Sequence, residues 1–154
     1  MTTLLKTNST NPDFRALVLE LTIFFKEKNG EKDDFYNQFN TLYSINHVIV
    51  AYQDGQAVGC GAFKKFEDKT AEIKRMFVKP ALRGQGIATQ ILTALEVWAL
   101  EVGFTSCILE TLKEHTSAVS LYAKNGYRVI PNYAQYIGVE SSVYMGKNLT
   151  ASLQ

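Results

Sequence analysis

The sequence is short of the residues that mark several large classes of protein. Its 154 residues include only two cysteines, Cys60 and Cys107, and two histidines, His47 and His115. Because each cysteine lies inside an apolar, strand-like run, we interpret both as buried thiols and not as a disulfide or a reactive site. The histidines are far apart in sequence, and no Cys/His spacing typical of a metal site occurs. The sequence therefore predicts no bound metal.

A surplus of charge of either sign is also missing. Lysine and arginine number 16 and aspartate and glutamate 15, which gives a formal net charge of +1. Because a general nucleic-acid or membrane-surface protein needs surplus cations to neutralise phosphates, we expect neither partner. No apolar run approaches the roughly 18 residues of a membrane span, and the first residues lack a signal-peptide arrangement. We expect a cytoplasmic protein.

The composition is otherwise that of an ordinary globular protein. Apolar residues make up 46% of the chain and charged residues 20%. The length suits one domain with a substantial core. Because no internal repeat, low-complexity tract or linker is visible, we expect a single domain over residues 1–154.

Hydrophobic spacing in the first part of the chain alternates between strand and helix patterns. A first strand can form over residues 3–8, and Asn11-Pro12-Asp13 supplies the cap, the first-turn proline and the acidic residue of a helix start. That helix is predicted to end at Asn29-Gly30. A second, more polar helix is predicted over about residues 33–42.

A hairpin is predicted next. Strands over residues 47–52 and 56–65 flank Asp54-Gly55, a strong signal for a two-residue turn. Gly59 and Gly61 interrupt the second strand, which predicts a bulge or a close backbone approach.

Residues 70–90 carry the strongest functional signal. An apolar-rich run ends at Val78 and is cut by Pro80, and an apolar pattern of helical period begins at Ile87. The order predicts a strand, a short loop with Gly84 and Gly86, and a helix. The start of such a helix offers backbone N–H groups without an intrahelical partner and the positive end of the helix dipole, which together suit a phosphate. The glycines would let the backbone approach that ligand closely.

Two common phosphate motifs fit these residues poorly. A P-loop needs a lysine and a serine or threonine after its last glycine, whereas Ile87 and Ala88 follow Gly86 here. In a dinucleotide fingerprint the small residue would come one place later than Ala88, and the acidic residue would stand at a strand end. Glu101 falls on an apparent helix instead, so a nicotinamide dinucleotide protein is a weak alternative.

The later segments complete the predicted order of elements. The helix that begins at Ile87 is predicted to end at Gly103, and a strand over residues 105–111 is expected to lie parallel to the strand ending at Val78. A further helix ends at Asn125-Gly126, and strands over residues 127–130 and 142–147 follow. The apolar stripe predicted for the Ile87 helix consists of Ile87, Ile91, Leu95, Trp98 and Val102.

Two blocks together resemble one known family. The segment Arg83-x-x-Gly86-x-Ala88 resembles the acyl-CoA pyrophosphate loop of the GCN5-related N-acetyltransferases, the GNAT superfamily. A later block, Leu109-Glu110-Thr111 followed by Ala118-x-x-Leu121-Tyr122-x-x-x-Gly126-Tyr127, is similar to that family's next strand and helix. The resemblance covers roughly residues 45–148. It implies an α/β (α+β) GNAT fold, with a mixed, mostly antiparallel sheet of about six to seven strands and helices on both faces.

The resemblance implies acetyl-CoA as the co-substrate. Main-chain groups at the end of one strand would pair with the pantetheine arm as an added strand, and the glycine loop would hold the pyrophosphate. The residues so implied are Met76, Phe77 and Val78 for the arm, and Arg83, Gly84, Gln85, Gly86, Ile87 and Ala88 for the pyrophosphate. The family often has an asparagine three positions before Ala118, where this chain has His115. This histidine either contacts the cofactor or has a helix-cap or surface role, and Lys124 either reaches the adenosine phosphates or is solvated.

Acetyl transfer to an amine poses two proton problems. An alkylammonium has a pKa of about 10, so only about one molecule in a thousand is a nucleophile at pH 7. Tyr122 matches the tyrosine that acts as the family's general acid for the departing thiolate. The alternative is that Tyr122 is a core tyrosine bonded elsewhere. Glu72 and Glu110 are the candidate bases, each with a structural ion pair as the alternative, and Lys74 can pair with Glu72 unless a bulge intervenes. Water chains can also remove the proton.

The acceptor leaves a weaker signal. In the resembling family the second helical region helps to wall the acceptor site, so Gln38, Asn40 and Tyr43 are candidate contacts, with a solvated helix as the alternative. Tyr133 and Tyr136 are expected at the acceptor mouth or in a dimer contact, which leaves a homodimer open.

The combined prediction is an N-acetyltransferase. It would move an acetyl group from acetyl-CoA to a primary amine of a small molecule or peptide, by direct attack in a ternary complex. The alternative is a non-catalytic acyl-CoA-binding sensor or interaction module, which keeps the phosphate loop but needs neither Tyr122 nor a carboxylate.

Overall fold

The structure, a computed structural model, describes residues 1–29, 45–131 and 141–150. Within these ranges the chain forms seven strands and three α-helices. In chain order they are β1 (Thr2–Thr7), α1 (Pro12–Asn29), β2 (His47–Gln53), β3 (Gln56–Glu67), β4 (Thr70–Val78), α2 (Ile87–Glu101), β5 (Ser106–Leu112), α3 (Thr116–Lys124), β6 (Arg128–Ile130) and β7 (Ser142–Asn148). A 3-10 turn, Pro80–Leu82, separates β4 from the glycine loop. The helix predicted over residues 33–42 lies outside the described residues.

The described strands form one sheet in the order β1-β2-β3-β4-β5-β7-β6. The pairs β1–β2, β2–β3, β5–β7 and β6–β7 are antiparallel, and the first residues of β4 pair with β5 in parallel. A parallel pair needs a crossover, which α2 supplies. The mixed, mostly antiparallel sheet and the parallel strand after α2 are therefore confirmed.

Contacts along the chain group its residues into two compact units. The first comprises Met1–Lys64 and Lys74–Leu95, and the second comprises Lys65–Ile73 and Glu96–Gln154. The prediction of one domain over residues 1–154 stays a prediction.

In the first unit, α1 begins as the sequence predicts. The backbone N–H of Phe14 donates to Oδ1 of Asn11 at 3.0 Å, so Asn11 caps the helix. The apolar face of α1 packs on one side of β2 and β3 to form the core of this unit. That core contains Phe14, Leu17, Val18, Leu21, Ile45, Val48, Val50, Cys60, Ala62 and Phe77.

The hairpin between β2 and β3 is also confirmed. Both turn residues have positive φ, 51° at Asp54 and 78° at Gly55, as a type I′ turn requires. The register of the two strands shifts between Ala51 and Tyr52, which leaves Val58 as an extra residue on β3. The predicted bulge therefore precedes Gly59.

Helix α2 lies on the other side of β3 from α1, because side chains alternate along a strand. A Cβ at Gly61 would lie 2.5 Å from Met76 Sδ and 2.8 Å from Ile91 Cγ2. The residues on either side of Gly61, Cys60 and Ala62, belong to the core with α1. Within the first unit, helices thus cover both faces of the sheet, as predicted.

The alternation of β4 is broken at Arg75. Its φ of 61° is left-handed, which is unusual for a residue with a side chain and marks an irregular strand. Beyond it, Phe77 enters the core with α1, while the Met76 sulfur lies beside Gly61. Met76 and Val78 share the face of α2, as predicted, because a Cβ at Gly59 would lie 3.2 Å from Val78 Cγ2. Whether Glu72 and Lys74 share that face across the irregular residue Arg75 stays a prediction.

The stripe predicted for α2 is correct at its start and wrong at its end. Ile87, Ile91 and Leu95 are buried, whereas Val102 is 47% exposed because the helix ends at Glu101. Gly103, with a φ of 106°, follows that end as predicted. Trp98 is half-buried and not fully in the core.

In the second unit, β5 and β7 form the longest described ladder. Cys107 stands opposite Lys147, Leu109 opposite Met145 and Glu110 opposite Tyr144. Because side chains alternate, Cys107 and Lys147 point to one face of this ladder, and Glu110 and Tyr144 point to the other. The two faces carry different polar groups.

Candidate active site

The glycine loop before α2 has the geometry of an anion site. Gly84 and Gly86 both have positive φ, 85° and 82°, a conformation that glycine adopts without strain. The first hydrogen bond of the helix runs from the N–H of Gln90 to the carbonyl of Gly86 at 3.1 Å. The N–H groups of the three residues before Gln90 therefore precede the hydrogen-bonded part of the helix, where an anion is stabilised.

Arg83 connects the loop to the end of β4. Its Nε donates to the carbonyl oxygen of Val78 at 2.9 Å, and its guanidinium carbon lies 5.7 Å from the centre of the Phe77 ring. The exposed side chain thus keeps its charge beside the last residues of the strand. A carbonyl oxygen has two lone pairs, so this bond leaves the Val78 carbonyl with capacity for a second donor.

Of the residues predicted to bind the cofactor, most belong to the first unit. Phe77, Val78 and Ile87 are buried, Met76 and Ala88 are half-buried, and Arg83, Gly84, Gln85 and Gly86 are exposed. The structure therefore brings together the strand end, Arg83 and the helix start within one unit. Whether they hold a cofactor stays a prediction.

Tyr122 lies in the second unit, near the end of α3. Its side chain is 6% exposed, and burial raises the pKa of its phenol above the ordinary value. Within the described residues, its hydroxyl makes no hydrogen bond, and its ring contact is with Tyr127, at 5.8 Å between centroids and 66° between planes. A buried phenol with no bonded partner among the described residues can donate to a ligand atom. The catalytic role of Tyr122 and its alternative, a core tyrosine, both stay predictions.

Tyr127 differs from Tyr122 because its hydroxyl is fully engaged. It donates to Oε2 of Glu96 at 3.0 Å, and Lys147 Nζ lies 2.8 Å from the other oxygen of that carboxylate. Burial, followed by the nearby Cys107 and Glu96, raises the pKa of Tyr127 further. The result is a buried cluster of one carboxylate, one ammonium and one phenol, which we call the Glu96 cluster.

The Glu96 cluster was not predicted from the sequence. A signal was present, since Glu96 directly follows the buried Leu95 and lies four residues after the buried Leu92 on α2. An acidic residue on the apolar side of a helix needs a partner. The partner, Lys147, is 51 residues away in sequence, so spacing could not identify it.

Glu110, one of the two candidate bases, has two hydroxyl donors. Its Oε2 accepts from Ser142 Oγ at 2.6 Å and lies 3.5 Å from the Tyr144 hydroxyl. Ser142 and Tyr144 are each 5% exposed, whereas Glu110 itself is half-buried. These hydroxyl groups fix the position of the carboxylate, and sequence reasoning did not predict either of them.

Glu72, the other candidate base, is only 7% exposed. It pairs with Ile108 on β5, and Glu110 lies two residues beyond Ile108. Because paired side chains share a face and alternate residues repeat it, both carboxylates belong to the same face of this part of the sheet. Lys147 belongs to the opposite face, so the Glu96 cluster and the two candidate bases are on different sides of the ladder.

The remaining predicted residues are less informative. His115 occupies the N-cap position of α3, but its side chain makes no capping hydrogen bond. Lys124 is exposed in the last turn of that helix, where a cation is favourable for the helix dipole. The acceptor candidates Gln38, Asn40, Tyr43, Tyr133 and Tyr136 lie outside the described residues.

Comparison with known proteins identifies the family. A sequence model of the acetyltransferase (GNAT) family matches residues 14–127. The IAA acetyltransferase of Azospirillum brasilense is 34% identical over 102 residues, which cover 66% of this chain and 67% of that protein. The chain therefore belongs to the GNAT family of acetyltransferases, and the predicted class of enzyme is confirmed.

Solved structures show the same fold. A candidate acyl-CoA N-acyltransferase from Klebsiella pneumoniae has a TM-score of 0.81 and 29% identity, with 97% of this chain and 98% of that one covered. A candidate streptothricin acetyltransferase from Bacillus anthracis, in complex with acetyl coenzyme A, has a TM-score of 0.60 and 22% identity over 73% of this chain and 67% of that one. The predicted GNAT fold is confirmed.

Two kinds of feature are absent from the described residues. None of their helices has the length and apolar character needed to cross a membrane. No three His, Cys, Asp or Glu side chains in these ranges come together as metal ligands would.

Proposed function

We propose that this protein transfers an acetyl group from acetyl-CoA to a primary amine of a small molecule or peptide, by direct attack in a ternary complex. The observation that carries the proposal is Tyr122, a buried phenol with no hydrogen bond to a described residue, at the position of the family's general acid. A purely structural tyrosine would be expected to use its hydroxyl, as Tyr127 does.

The glycine loop supports acetyl-CoA as the acyl donor. Gly84 and Gly86 adopt the left-handed conformation at the start of α2, and Arg83 adds a fixed positive charge beside the end of β4. The proposal gives the pyrophosphate to this loop and the pantetheine arm to the main chain of Met76, Phe77 and Val78. The acetyl coenzyme A in the Bacillus anthracis protein of the same fold agrees with it.

In the proposed reaction the amine nitrogen attacks the thioester carbonyl. A carbon–nitrogen bond forms, the carbon–sulfur bond breaks, and the electron pair of that bond leaves with the sulfur of CoA. The acceptor nitrogen loses one proton before attack and a second as the amide forms. One proton ends on the sulfur to give the thiol of CoA, and the other passes to the solvent. Acid and base therefore act on different atoms, sulfur and nitrogen respectively.

Tyr122 is assigned to the sulfur. Because burial raises its pKa, the phenol stays protonated at neutral pH, so its O–H is available to the sulfur as a hydrogen-bond donor. Its O–H would stabilise the developing thiolate, whose free pKa is about 8.5. Removing one such donor costs on the order of 10²-fold in turnover.

Glu72 and Glu110 are both retained as candidate bases for the amine. Glu72 is buried, and Glu110 is held by Ser142, so each could hold a proton at a defined place. A chain of water molecules is the third route. We further propose that Gln38, Tyr133 and Tyr136 contact the acceptor and that His115 and Lys124 contact the cofactor.

The test is thiol release from acetyl-CoA across a panel of amines, amino acids, polyamines and peptides, with the wild-type chain and Tyr122→Phe. We expect a loss of turnover on the order of 10²-fold with acetyl-CoA affinity little changed, measured by isothermal titration. The protein's own thiols will not interfere, because Cys60 and Cys107 are fully buried and burial raises the pKa of each to about 12. Tyr52→Phe, which loses a hydroxyl bond to Asp13, is the control.

Two outcomes would contradict the proposal. Absence of acetyl-CoA binding at millimolar concentration would exclude both the enzyme and the sensor. Clear binding of acetyl-CoA with no thiol release on the whole panel would favour the non-catalytic sensor.

A further inference from the structure

We propose that Tyr127 is a positioning residue, which the Glu96 cluster anchors so that its ring holds the phenol of Tyr122 in place. The inference rests on the proposed function, since Tyr122 matters only if it acts on the thioester sulfur. It extends that function to residues on α2 and β7 that make no proposed contact with substrate.

The end of α3 forces the two tyrosines together. The N–H of Tyr127 donates to the carbonyl of Tyr122 at 3.0 Å, and the N–H of Gly126 donates to the carbonyl of Ala123 at 3.1 Å. Gly126 has a φ of 94°. These features define a Schellman motif, in which the residue after the glycine packs on the residue five positions before it. The spacing Tyr122-x-x-x-Gly126-Tyr127 is thus a helix ending that fixes a ring contact.

The hydroxyl of Tyr127 is tied to a group that cannot easily move. Glu96 is 8% exposed and has one carboxylate oxygen on Tyr127 at 3.0 Å and the other on Lys147 at 2.8 Å. A buried carboxylate with both oxygens bonded to charged and polar donors is held in one orientation. The Tyr127 ring therefore has two attachments, its backbone at α3 and its hydroxyl at α2.

Lys147, on β7, also packs against Tyr127. Its Nζ lies 5.8 Å from the centre of the Tyr127 ring. Its side chain also covers the helix ending, because a Cβ at Gly126 would lie 3.3 Å from Lys147 Cε. One lysine thus contacts the carboxylate, the ring and the glycine that define the position of Tyr127.

The position of the Tyr122 phenol depends on the packing of its ring. In the part of the chain that the structure describes, its hydroxyl has no hydrogen bond, and Tyr127 supplies its ring contact. A donor must stay within hydrogen-bonding reach of the sulfur, and a displacement of about 1 Å can cost on the order of 10²-fold in rate. A ring anchored at both ends restricts that displacement.

The alternative is that the Glu96 cluster only stabilises the fold. The two possibilities differ in what Tyr127→Phe does, since this change keeps the ring and the helix ending but removes the anchor. If Tyr127 acts through Tyr122, the loss of kcat in Tyr127→Phe cannot exceed the loss in Tyr122→Phe. Combining the two changes then causes no further loss of kcat.

The experiment is a double-mutant cycle of Tyr127→Phe and Tyr122→Phe, with kcat and the acetyl-CoA KM measured for all four chains. We expect Tyr127→Phe to lower kcat about tenfold with KM within about twofold, and to have no effect on kcat in the Tyr122→Phe chain. Glu96→Gln is the second variant, because it keeps the volume of the anchor and weakens its bond to Tyr127. Tyr52→Phe removes a similar hydroxyl–carboxylate bond of 2.7 Å elsewhere and should change neither constant.

A second readout does not need an acceptor. With ¹³C-labelled tyrosine, the ring signals of Tyr122 are identified as those lost in Tyr122→Phe among the eight tyrosines. We expect Tyr127→Phe, and not Tyr52→Phe, to shift or broaden these signals. Because the spectrum is recorded without turnover, it tests the positioning even if the proposed reaction fails.

Either of two results would overturn the inference. One is a Tyr122 signal unchanged by both Tyr127→Phe and Glu96→Gln. The other is a loss of kcat of equal size in the wild-type and the Tyr122→Phe chains, which would show that Tyr127 acts without Tyr122.

Discussion

Two pairs of glycines in the first unit have the same spacing but different physical reasons to be glycine. Gly59 and Gly61 lie in β3, where an added Cβ would meet atoms of β4 and α2 at 2.5–3.2 Å. Gly84 and Gly86 lie in the loop before α2, where an added Cβ would meet no described atom within 4 Å but would stand on a backbone with φ near 85°. The first pair makes room for packing, and the second pair sets a backbone shape.

The difference separates a structural glycine from a candidate functional one. A side chain at Gly59 or Gly61 would compete with the fold's own atoms, so the fold itself explains these residues. At Gly84 and Gly86 the space beside the backbone is left open by the fold, which agrees with a ligand approaching there. Substitutions at the two pairs should therefore have opposite consequences for stability and for acetyl-CoA binding.

The largest effect on stability is expected at Gly61. In Gly61→Ala the new Cβ would lie 2.5 Å from Met76 Sδ, 2.8 Å from Ile91 and 2.9 Å from Leu95, so β3 and α2 must separate or repack. Overpacking of this kind costs about 2–3 kcal/mol of the free energy of unfolding, measured by urea denaturation. Met76→Ala in the same chain should recover part of the loss, and a loss below about 0.5 kcal/mol would refute the packing role.

A smaller loss is expected at Gly59. The nearest atoms to its added Cβ are the Phe77 carbonyl oxygen at 3.0 Å and Ile91 Cδ1 at 3.1 Å, which need shifts of only a few tenths of an ångström. We expect Gly59→Ala to cost about 1 kcal/mol, less than Gly61→Ala in the same denaturation series. The reverse order would mean that the backbone of β4 yields less readily than the side chains of α2.

The effect on stability expected at Gly86 is about as small as that at Gly59, but the effect on ligand binding is expected to be the largest. A residue with a Cβ in the left-handed conformation costs about 1 kcal/mol. In Gly86→Ala the Cβ would also hold a phosphate away from the backbone N–H groups, so we expect the acetyl-CoA KM to rise about tenfold.

Gly55→Ala is the matched control for Gly86→Ala. Gly55 has a φ of 78° and no described atom within 4 Å of an added Cβ, but it lies in the β2–β3 hairpin. It should lose about as much stability with no change in KM. Equal KM values in the two variants would contradict the phosphate role of the loop.

Local features of the chain were predictable because they depend on neighbours in sequence. Asn11 caps α1, Asp54-Gly55 forms the type I′ turn, and the glycine loop stands between β4 and α2. Each of these follows from the allowed backbone angles and hydrogen bonds of a few consecutive residues. The prediction that the apolar stripe of α2 extends to Val102 was wrong, because periodicity alone does not say where a helix stops. The helix ends at Glu101.

The candidate site was predictable only in part. Tyr122 was identified through its motif, but the motif could not show that its hydroxyl bonds to no described residue while that of Tyr127 is bonded to Glu96. Glu110 was identified as a carboxylate near a strand end, but its donors on β7 depend on the β5–β7 register. The irregular backbone at Arg75 likewise appears only when the strands are paired.

The sequence by itself determined the order of elements, the glycine loop and the family, because these depend on short patterns of residue type. Only the tertiary structure decided which polar groups meet. Glu96 reaches Lys147 across 51 residues, Tyr127 across 31, and Ser142 reaches Glu110 across 32. Such pairs form because strand register and helix packing bring them together in a buried place, where a carboxylate must find donors, and no local pattern encodes that meeting.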